Sequence, residues 1–301
     1  MNVDIRDVRF HDLVDVSAEI SQIATGFDFT EGPIWHPIYQ GLMFSDIMGN
    51  SLYSWNAQDG VAQRKRNSYL ANGNAYDHQG RVLTCEHGTS RLTRTDITAG
   101  TYEVLASHYD GKQLNSPNDV IVKSDGSIYF TDPLSGRSEG YGIPREPELS
   151  HVGVYRLDPA SGELTLLDTD FTLPNGLCFS HDETQLFVND TRRFCIRVFD
   201  VQPDGTLANG RVWAKTTGEG VGGPDGMKID SQGNIYCTGQ GGLHIFDPQG
   251  VCLGVILMPE QTANFVFGDD DFCGVYVTAS TSIYKFRVKV AGWPTFRPKL
   301  S

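Results

Sequence analysis

The chain has 301 residues, of which 39% are hydrophobic, and a formal net charge of −13 at pH 7 with a pI near 4.9. This length and apolar content are enough for a packed core, in one large all-β domain or in two ordinary domains. The acidic charge argues against nucleic acid or an anionic membrane surface as a partner, because both require basic patches.

The N-terminal stretch, Met1 to Val14, mixes Asp, Arg and His and has no apolar segment of the kind found in signal peptides. No later apolar run approaches the length of a membrane span. Cys85, Cys178, Cys237 and Cys273 fall within or beside predicted strands, and no pair has C-x-x-C spacing, which favours free thiols in a reducing compartment. We therefore expect a cytoplasmic protein with no membrane partner.

Six copies of one β-hairpin pattern follow along the chain. Each copy opens on Glu, Asn or Asp, continues as an alternating strand, turns, and returns in a second short strand. The opening blocks are E-G-P-I-W-H from Glu31, N-G-N-A-Y-D from Asn72, N-D-V-I-V-K from Asn118, N-G-L-C-F-S from Asn175, D-G-M-K-I-D from Asp225 and N-F-V-F-G-D from Asn264. Successive openings are 39 to 57 residues apart, which is the spacing of propeller blades built from four-stranded sheets.

A second hairpin is predicted between consecutive openings. Its first strands are predicted at Leu52–Trp55, Arg91–Arg94, Val154–Leu157, Ile196–Phe199 and Leu243–Phe246. The sixth copy, Ile283–Val288, lacks a return strand, so an open ring would leave a bare sheet edge. Glu19 to Gly26, just before the first opening, is predicted to supply the missing outer strand.

The sequence therefore predicts an all-β fold, a six-bladed β-propeller with four antiparallel strands per blade, closed by an N-terminal strand that completes the last blade. We expect one domain over residues 1–301, with the propeller at about 19–288 and terminal extensions at 1–18 and 289–301. The insertion Pro133 to His151, rich in Pro, Gly and charge, is predicted to be either a lid over the channel entrance or a plain surface loop.

The first positions of the six copies are expected to lie together. The innermost strands of a propeller line a central channel, so equivalent positions on six blades point at one axis. Any single copy has a simpler explanation, because Asn-Gly and Asp-Gly are turn dipeptides and a polar residue before a strand often caps a backbone group. Six polar residues in register, two of them carboxylates that repel unless a cation holds them, favour a metal site. Oxygen ligands suit one divalent cation, Ca²⁺ first, with Mg²⁺, Mn²⁺ and Zn²⁺ as alternatives.

Four sequence blocks, F-T-E-G-P-I-W, S-P-N-D-V, L-P-N-G-L and P-D-G-M, occur in this order along the chain. They resemble those of the SMP-30/gluconolactonase/luciferin-regenerating family, six-bladed propellers that bind one divalent ion in the channel and mostly hydrolyse sugar lactones. The resemblance covers roughly Phe27 to Phe286. It implies that Glu31, Asn175 and Asp225 are metal ligands, and that Asn118 lines the site as a fourth ligand or a substrate contact.

The chain departs from this family at Ser116, where sugar-lactonase members often carry an arginine that binds substrate hydroxyls. Glu86 and His87, in the block T-C-E-H-G, are predicted to supply polar contacts instead. Asn72 and Asn264 are predicted to shape substrate specificity with them. His87 has an alternative explanation as a hydrogen-bonded histidine at a strand end.

A mechanism follows from the residue types. A bound cation would polarise the lactone carbonyl and stabilise the charge that develops on its oxygen. Asp225 would accept a proton from the attacking water, or would attack the carbonyl itself. Asn118 is the second residue that we assign to catalysis, holding the carbonyl together with Asn175.

We therefore expect a divalent-metal-dependent lactonase that acts on a sugar lactone or a related cyclic ester. Its partner would be the small-molecule lactone, and the protein would be a monomer or a homodimer. Phosphotriester or aryl-ester hydrolysis on the same scaffold is an alternative activity. A non-enzymatic propeller that binds calcium or a partner protein is an alternative of a different class, because fold does not fix function.

Overall fold

The computed structural model describes residues 1–296. Its elements, in chain order, are β1 (Asn2–Ile5), α1 (Phe10–Leu13), β2 (Ser21–Thr25), β3 (Thr30–His36), β4 (Gly41–Asp46), β5 (Ser51–Asn56), β6 (Gly60–Arg66), β7 (Ala71–Tyr76), β8 (Val82–Glu86), β9 (Arg91–Asp96), β10 (Thr101–Ala106), β11 (His108–Tyr109), β12 (Lys112–Gln113), β13 (Val120–Val122), β14 (Ile128–Asp132), a 3-10 turn (Ser135–Arg137), β15 (Gly153–Leu157), β16 (Leu164–Asp168), β17 (Pro174–Phe179), β18 (Gln185–Asp190), β19 (Cys195–Val201), β20 (Leu207–Lys215), β21 (Met227–Ile229), β22 (Ile235–Gly239), β23 (Gly242–Phe246), β24 (Cys252–Leu257), β25 (Thr262–Gly268), β26 (Gly274–Ala279) and β27 (Ser282–Arg287).

Six antiparallel sheets are arranged around a central channel, which confirms the predicted six-bladed propeller. Blades 1 to 4 are β3–β6, β7–β10, β13–β16 and β17–β20. Blade 5 contains β21–β24, and blade 6 contains β25–β27 together with β2. The innermost strands are β3, β7, β13, β17, β21 and β25, and each contacts the next around the ring.

The ring is closed by the N-terminal strand, as predicted. Strand β2 pairs antiparallel with β27, and Ser21 lies opposite Lys285. The first blade follows directly in the chain, so the last and first blades are joined through one short segment. This pairing covers the sheet edge that the sixth copy alone would leave open.

The core lies between neighbouring blades rather than inside any one of them. Strands near the channel are buried on both faces, and all seven residues of β25 are buried. One cluster between blades 2 and 3 includes Leu83, Val120, Phe130 and Tyr155. The outer strands β6 and β10 are largely exposed. Each blade therefore depends on its neighbours to bury its apolar faces.

A carboxylate at the end of the second strand recurs in three blades. Asp46, Asp132 and Asp190 accept backbone N–H groups from the segment that leads into the innermost strand. In blade 3, for example, the Asp132 carboxylate accepts the N–H of Ser116 at 2.7 Å. These bonds fix the chain two to three residues before the first position of each copy, because a buried carboxylate needs such donors.

Two of the first positions of the six copies, Glu31 and Asn175, are each followed by a glycine that allows neighbouring innermost strands to touch. We call the six first positions the ring positions. A methyl group on Gly176 would lie 1.9 Å from the Asp225 carbonyl oxygen, and one on Gly32 would lie 2.0 Å from the Asn72 carbonyl oxygen. Gly32 also has a φ of +54°, which favours glycine. The Glu-Gly and Asn-Gly pairs at these two positions therefore lie inside strands β3 and β17, at close contacts between blades, and not in turns.

The N-terminal extension packs onto the propeller. Strand β1 pairs with β24 as a fifth strand of blade 5, which the sequence did not predict. Phe10 and Leu13 of α1 are buried in the cluster shared by blades 5 and 6. Helix α1 has only four residues, and within residues 1–296 no helix could cross a bilayer.

The C-terminal extension packs against the propeller through contacts with blades 1, 2 and 5. Gly292 forms an isolated bridge with Asp230, and the ring of Phe296 packs against those of His36 and Tyr76. Residues 297–301 of the predicted extension lie outside the described residues. Cys85, Cys178 and Cys237 are buried free thiols as predicted, whereas Cys273 is a partly exposed free thiol.

Candidate functional site

Five of the six ring positions meet at one end of the channel. Glu31, Asn72, Asn118, Asn175 and Asp225 line a cavity of about 310 Å³. Each of them lies within two residues of the start of the innermost strand of its blade. The repeat therefore brings polar side chains from five blades to a single cavity, although they are far apart in the sequence.

Glu31 and Asp225 place two carboxyl groups side by side in this cavity. Glu31 is 3% exposed, and its Oε2 accepts the backbone N–H of Gly32 at 2.5 Å. Burial raises the pKa of Glu31 to about 7, and the negative charge of Asp119 adds to this effect. Burial and the neighbouring charge of Glu31 raise the pKa of Asp225 well above its ordinary value. Two carboxyl groups in this position can both ionise at neutral pH only if a cation compensates them.

Asn175 presents its side-chain oxygen to the site. Its Nδ2 donates to Thr191 Oγ1 at 3.1 Å, and the Thr191 hydroxyl donates to the Pro224 carbonyl oxygen at 2.6 Å. Because the hydroxyl proton is used on Pro224, Thr191 can only accept from Asn175, which fixes the orientation of the amide. The Oδ1 of Asn175 is buried and has no hydrogen-bond partner among the described residues. It is an acceptor that a ligand could satisfy.

Asn118 is held in a similar way by the insertion. Its Nδ2 donates to Ser135 Oγ at 3.3 Å, which leaves its Oδ1 available on the cavity side. Asn118 itself is 5% exposed, and its backbone N–H donates to the Thr131 carbonyl oxygen. The amide oxygens of Asn118 and Asn175 are therefore both available to the same cavity as the two carboxyl groups.

His87 borders the cavity as a neutral imidazole. Its Nδ1 lies 2.8 Å from the Tyr141 carbonyl oxygen and must donate to it, so its Nε2 accepts from Asn72 Nδ2 at 3.0 Å. Burial lowers the pKa of His87 to about 4. Both ring nitrogens are thus engaged, and the geometry matches the hydrogen-bonded histidine that the sequence left as an alternative. His87 orients the amide of Asn72.

Glu86 is not brought to the cavity, which corrects the expectation of a polar contact there. It ends strand β8 and occupies the place that Asp46 has at the end of β4. Its carboxylate accepts the hydroxyl of Thr89 at 2.5 Å and that of Tyr102 at 2.9 Å. These partners lie within blade 2, so Glu86 faces the interior of its own blade while the next residue, His87, faces the channel.

Asn264 lies on the far side of Glu31 from the cavity. Its Nδ2 donates to Glu31 Oε2 at 3.1 Å, and it lines a second cavity farther along the channel. Of the predicted substrate contacts, the structure therefore places Asn72 and His87 at the first cavity and Asn264 behind a carboxylate. Asn264 supports Glu31 instead of facing the first cavity.

The insertion Pro133 to His151 forms one wall of the cavity through Ser135 and Tyr141. Arg137, which is buried, donates to two backbone carbonyl oxygens of the preceding loop. Arg145 donates to the His87 carbonyl oxygen at 2.6 Å. These bonds hold the insertion against blades 2 and 3 beside the channel entrance.

The structure shows the roles of two further residues, Ser116 and Arg192, which the sequence did not reveal. Ser116 is fully buried and its hydroxyl donates to the Pro133 carbonyl oxygen at 2.6 Å, so it anchors the insertion and does not reach the cavity. Arg192 lines the cavity from the loop after β18. Within residues 1–296 its guanidinium has neither a hydrogen bond nor an ion pair. The only sequence signal was the pair Arg192-Arg193 directly after a predicted strand.

The side chains at this cavity fit a hard divalent cation. No group of three or more His, Cys, Asp or Glu residues that could hold a metal occurs among residues 1–296. The candidate ligands are instead two carboxylates, Glu31 and Asp225, and two amide oxygens, from Asn118 and Asn175. This set of oxygen donors, with one buried acceptor left without a partner, matches the preference of Ca²⁺ for carboxylate and carbonyl oxygen.

Residues 29–281 match the family model described as the SMP-30/Gluconolactonase/LRE-like region. The gluconolactonase of Zymomonas mobilis subsp. mobilis is 32% identical over an alignment that covers 94% of this chain and 85% of that protein. The pentonolactonase XacC of Haloferax volcanii is 25% identical, covering 89% of this chain and 93% of that protein. The solved structure of a gluconolactonase from Xanthomonas campestris is 33% identical, with a TM-score of 0.87 over 96% of this chain and 95% of that chain.

Proposed function

The chain belongs to the SMP-30/gluconolactonase/LRE-like family, and we propose that it is a divalent-metal-dependent lactonase that hydrolyses a sugar lactone or a related cyclic ester. One observation carries the proposal. The carboxyl groups of Glu31 and Asp225 share a cavity with the Asn175 Oδ1, which is buried without a hydrogen-bond partner among the described residues. The gluconolactonase and pentonolactonase relatives support a lactone as the substrate class.

Glu31, Asn118, Asn175 and Asp225 would hold one divalent cation, with Ca²⁺ as the first candidate. When bound, the ion polarises the lactone carbonyl and stabilises negative charge on its oxygen. Burial raises the pKa of Glu31 to about 7 and that of Asp225 well above its ordinary value, so the metal-free site would bind protons that a cation must displace. Cation binding therefore displaces protons and strengthens as the pH rises.

Asp225 is the candidate base because it keeps partial exposure to the cavity, whereas Glu31 is buried. Its free carboxylate oxygen would accept a proton from the attacking water. Asn118 would hold the carbonyl oxygen of the substrate, and its amide is fixed for this by Ser135. His87 would remain neutral and keep Asn72 oriented toward the substrate.

The walls of the cavity suit a small ring that bears hydroxyl groups. Phe29 and Tyr141 both line it, and their rings pack edge to face with centroids 5.2 Å apart. This aromatic wall would cover the C–H face of a lactone ring and exclude water from it. Arg192, which also lines the cavity, would donate to substrate hydroxyls. Arg192 would thus take the role that Ser116 cannot perform.

The proposal is tested by hydrolysis at constant pH, followed by titration of released acid. The substrates are aldonolactones, simple γ-lactones and phosphotriesters, each with and without EDTA. We expect chelator-sensitive hydrolysis of at least one lactone, lost in Asp225→Asn and retained in the matched surface variant Asp204→Asn. Asp204 lies in the exposed turn between β19 and β20.

Other outcomes of this assay would identify the alternatives. Chelator-sensitive turnover of phosphotriesters alone would assign the metal site to phosphotriester hydrolysis. Absence of hydrolysis across the panel, with a cation still bound, would indicate a binding protein. Full lactonase activity in Asp225→Asn would show that the catalytic site lies elsewhere.

A further inference from the structure

A second cavity, of about 400 Å³, lies toward the other end of the innermost strands. Its walls are largely apolar, with Ile34, Val120 and Leu177 among the lining residues. Four charged residues also line it: Asp119, Lys228, and the loop residues Asp182 and Glu183, of which Glu183 pairs with Lys123. Lys228 is half-buried beside a channel that already holds several carboxylates. This position calls for a physical explanation, because a lysine partly withdrawn from solvent usually has a partner for its charge.

Lys228 is connected to Glu31 through one amide. The Lys228 Nζ donates to Asn264 Oδ1 at 3.3 Å, and Asn264 Nδ2 donates to Glu31 Oε2 at 3.1 Å. The backbone N–H of Phe265 donates to the same Oδ1 at 2.9 Å. With Oδ1 accepting two donors, the amide must turn its Nδ2 toward Glu31. The ammonium group therefore lies one side chain away from a proposed metal ligand.

Asp119 adds a third carboxylate to this part of the channel. Its Oδ1 accepts the Val120 N–H at 2.9 Å, and its Oδ2 is buried without a hydrogen-bond partner among residues 1–296. The negative charge of Asp119 acts on both Glu31 and Asp225. Lys228 lines the same cavity as Asp119 and reaches Glu31 through Asn264, so it places one positive charge beside these carboxyl groups.

The net charge of this part of the channel can be counted from Glu31, Asp119, Asp225 and Lys228. When Glu31, Asp119 and Asp225 are ionised they carry three negative charges, and the Lys228 ammonium reduces the sum to two. One divalent cation neutralises this sum, whereas a trivalent ion would leave an excess positive charge in the channel. Without Lys228 the same carboxylates would match a trivalent ion.

We propose that Lys228 is a specificity-determining residue that matches the charge of the channel to a divalent cation. The inference rests on the metal site of the proposed function. Lys228 does not touch the ion and acts through the field of its charge, in addition to orienting Asn264. Since the repulsion between Lys228 and an ion scales with the charge of the ion, removing the lysine should favour trivalent ions more than divalent ones.

The test is calorimetric titration of chelator-treated, full-length protein with Ca²⁺ and with Tb³⁺, which have similar radii, at pH 7. The measured quantity is the ratio of the two affinities. Both ions displace the same protons, so the effect of proton displacement on the affinities cancels in this ratio. Lys228→Met and Lys228→Gln should each raise the Tb³⁺ to Ca²⁺ affinity ratio roughly tenfold, as expected for one unit charge at about 10 Å in a medium of effective dielectric constant about 20. The glutamine variant retains an amide donor for Asn264 without the charge.

Two control variants separate the effect of the charge at position 228 from the effect of the total charge of the protein. Lys228→Arg keeps the charge, and Lys112→Met removes a charge from an exposed position on β12. Both should leave the ratio within twofold of that of the unaltered protein. Asp225→Asn should remove the single saturable site, which distinguishes it from loose binding of Tb³⁺ to the acidic surface.

An unchanged ratio in Lys228→Met and Lys228→Gln, with Ca²⁺ still bound by the unaltered protein, would overturn the inference alone. Equal weakening of both ions would do the same, because it would show that Lys228 only holds Asn264. If the unaltered protein bound neither ion at a saturable site, the metal site of the proposed function would fail, and the inference with it.

Discussion

The replacement Glu31→Gln should stabilise the metal-free protein at alkaline pH, although it removes a proposed metal ligand. Glu31 is 3% exposed, and burial raises its pKa from 4.5 to about 7. The folded state therefore binds a proton more tightly than the unfolded state, so the stability that this residue contributes is complete below pH 4.5 and is lost as the pH rises to about 7. A difference of about 2.5 pKa units corresponds to about 3 kcal/mol in the free energy of unfolding.

This prediction is checked by urea unfolding of both proteins in excess EDTA, from pH 4.5 to pH 8. The free energies of unfolding should be similar at pH 4.5 and should separate by up to about 3 kcal/mol in favour of Glu31→Gln at pH 8. Saturating Ca²⁺ should reverse the order, because only the unaltered protein would gain stability from binding. Parallel curves over the whole pH range would refute the description of Glu31 as a buried, uncompensated carboxyl group.

Three other substitutions test the geometry around the cavity. Thr191→Val should free the amide of Asn175 to turn and lower the affinity for the divalent cation about tenfold in calorimetric titration, and an unchanged affinity would contradict its role in orienting that ligand. Arg192→Ala should raise KM for a polyhydroxylated lactone about tenfold with little change in kcat, whereas Arg193→Ala, which removes ion pairs with Asp170 and Asp190 outside the cavity, should change neither. Gly176→Ala should destabilise the fold by about 3 kcal/mol or more in denaturant unfolding, because the new methyl group would lie 1.9 Å from a carbonyl oxygen of the next blade, and a neutral effect would refute that close contact.

The sequence predicted the propeller because its repeat is local. Each copy carries its own alternating strands and turn, so six blades can be counted without knowing how they pack. The closing strand was also predictable, since Glu19 to Gly26 contains the strand Ser21–Thr25 and the sixth copy lacked a partner. Strand β1 was not predictable in this way, because its pairing with β24 joins residues about 250 positions apart and the segment has no turn partner beside it.

The convergence of the first positions on one cavity could be predicted from the repeat, whereas the residues that reach this cavity from loops could not. The shared first position placed Glu31, Asn118, Asn175 and Asp225 around one cavity. Glu86 was misassigned because it sits next to His87 in the sequence, whereas neighbouring positions at a strand end face different sides. A comparison across copies could have corrected this, since the second strands of blades 1, 3 and 4 end in a structural carboxylate at the same place.

Arg192 and Tyr141 illustrate what a single sequence does not contain. Both reach the cavity from connections between strands, and the paths of such connections depend on distant parts of the chain; the Tyr141 carbonyl oxygen, for example, accepts from His87 Nδ1. Lys228 was visible in the block D-G-M-K-I-D but had no apparent role, because its partner Asn264 comes from another blade. Charge compensation of this kind appears only once the innermost strands are placed around a common axis.

The most direct measurement is an anomalous difference map from crystals of the protein grown with Mn²⁺. We expect one strong peak per chain in the first cavity, within coordination distance of oxygen atoms from Glu31, Asn118, Asn175 and Asp225. A map with no peak among these four side chains, or with its main peak elsewhere in the molecule, would contradict it.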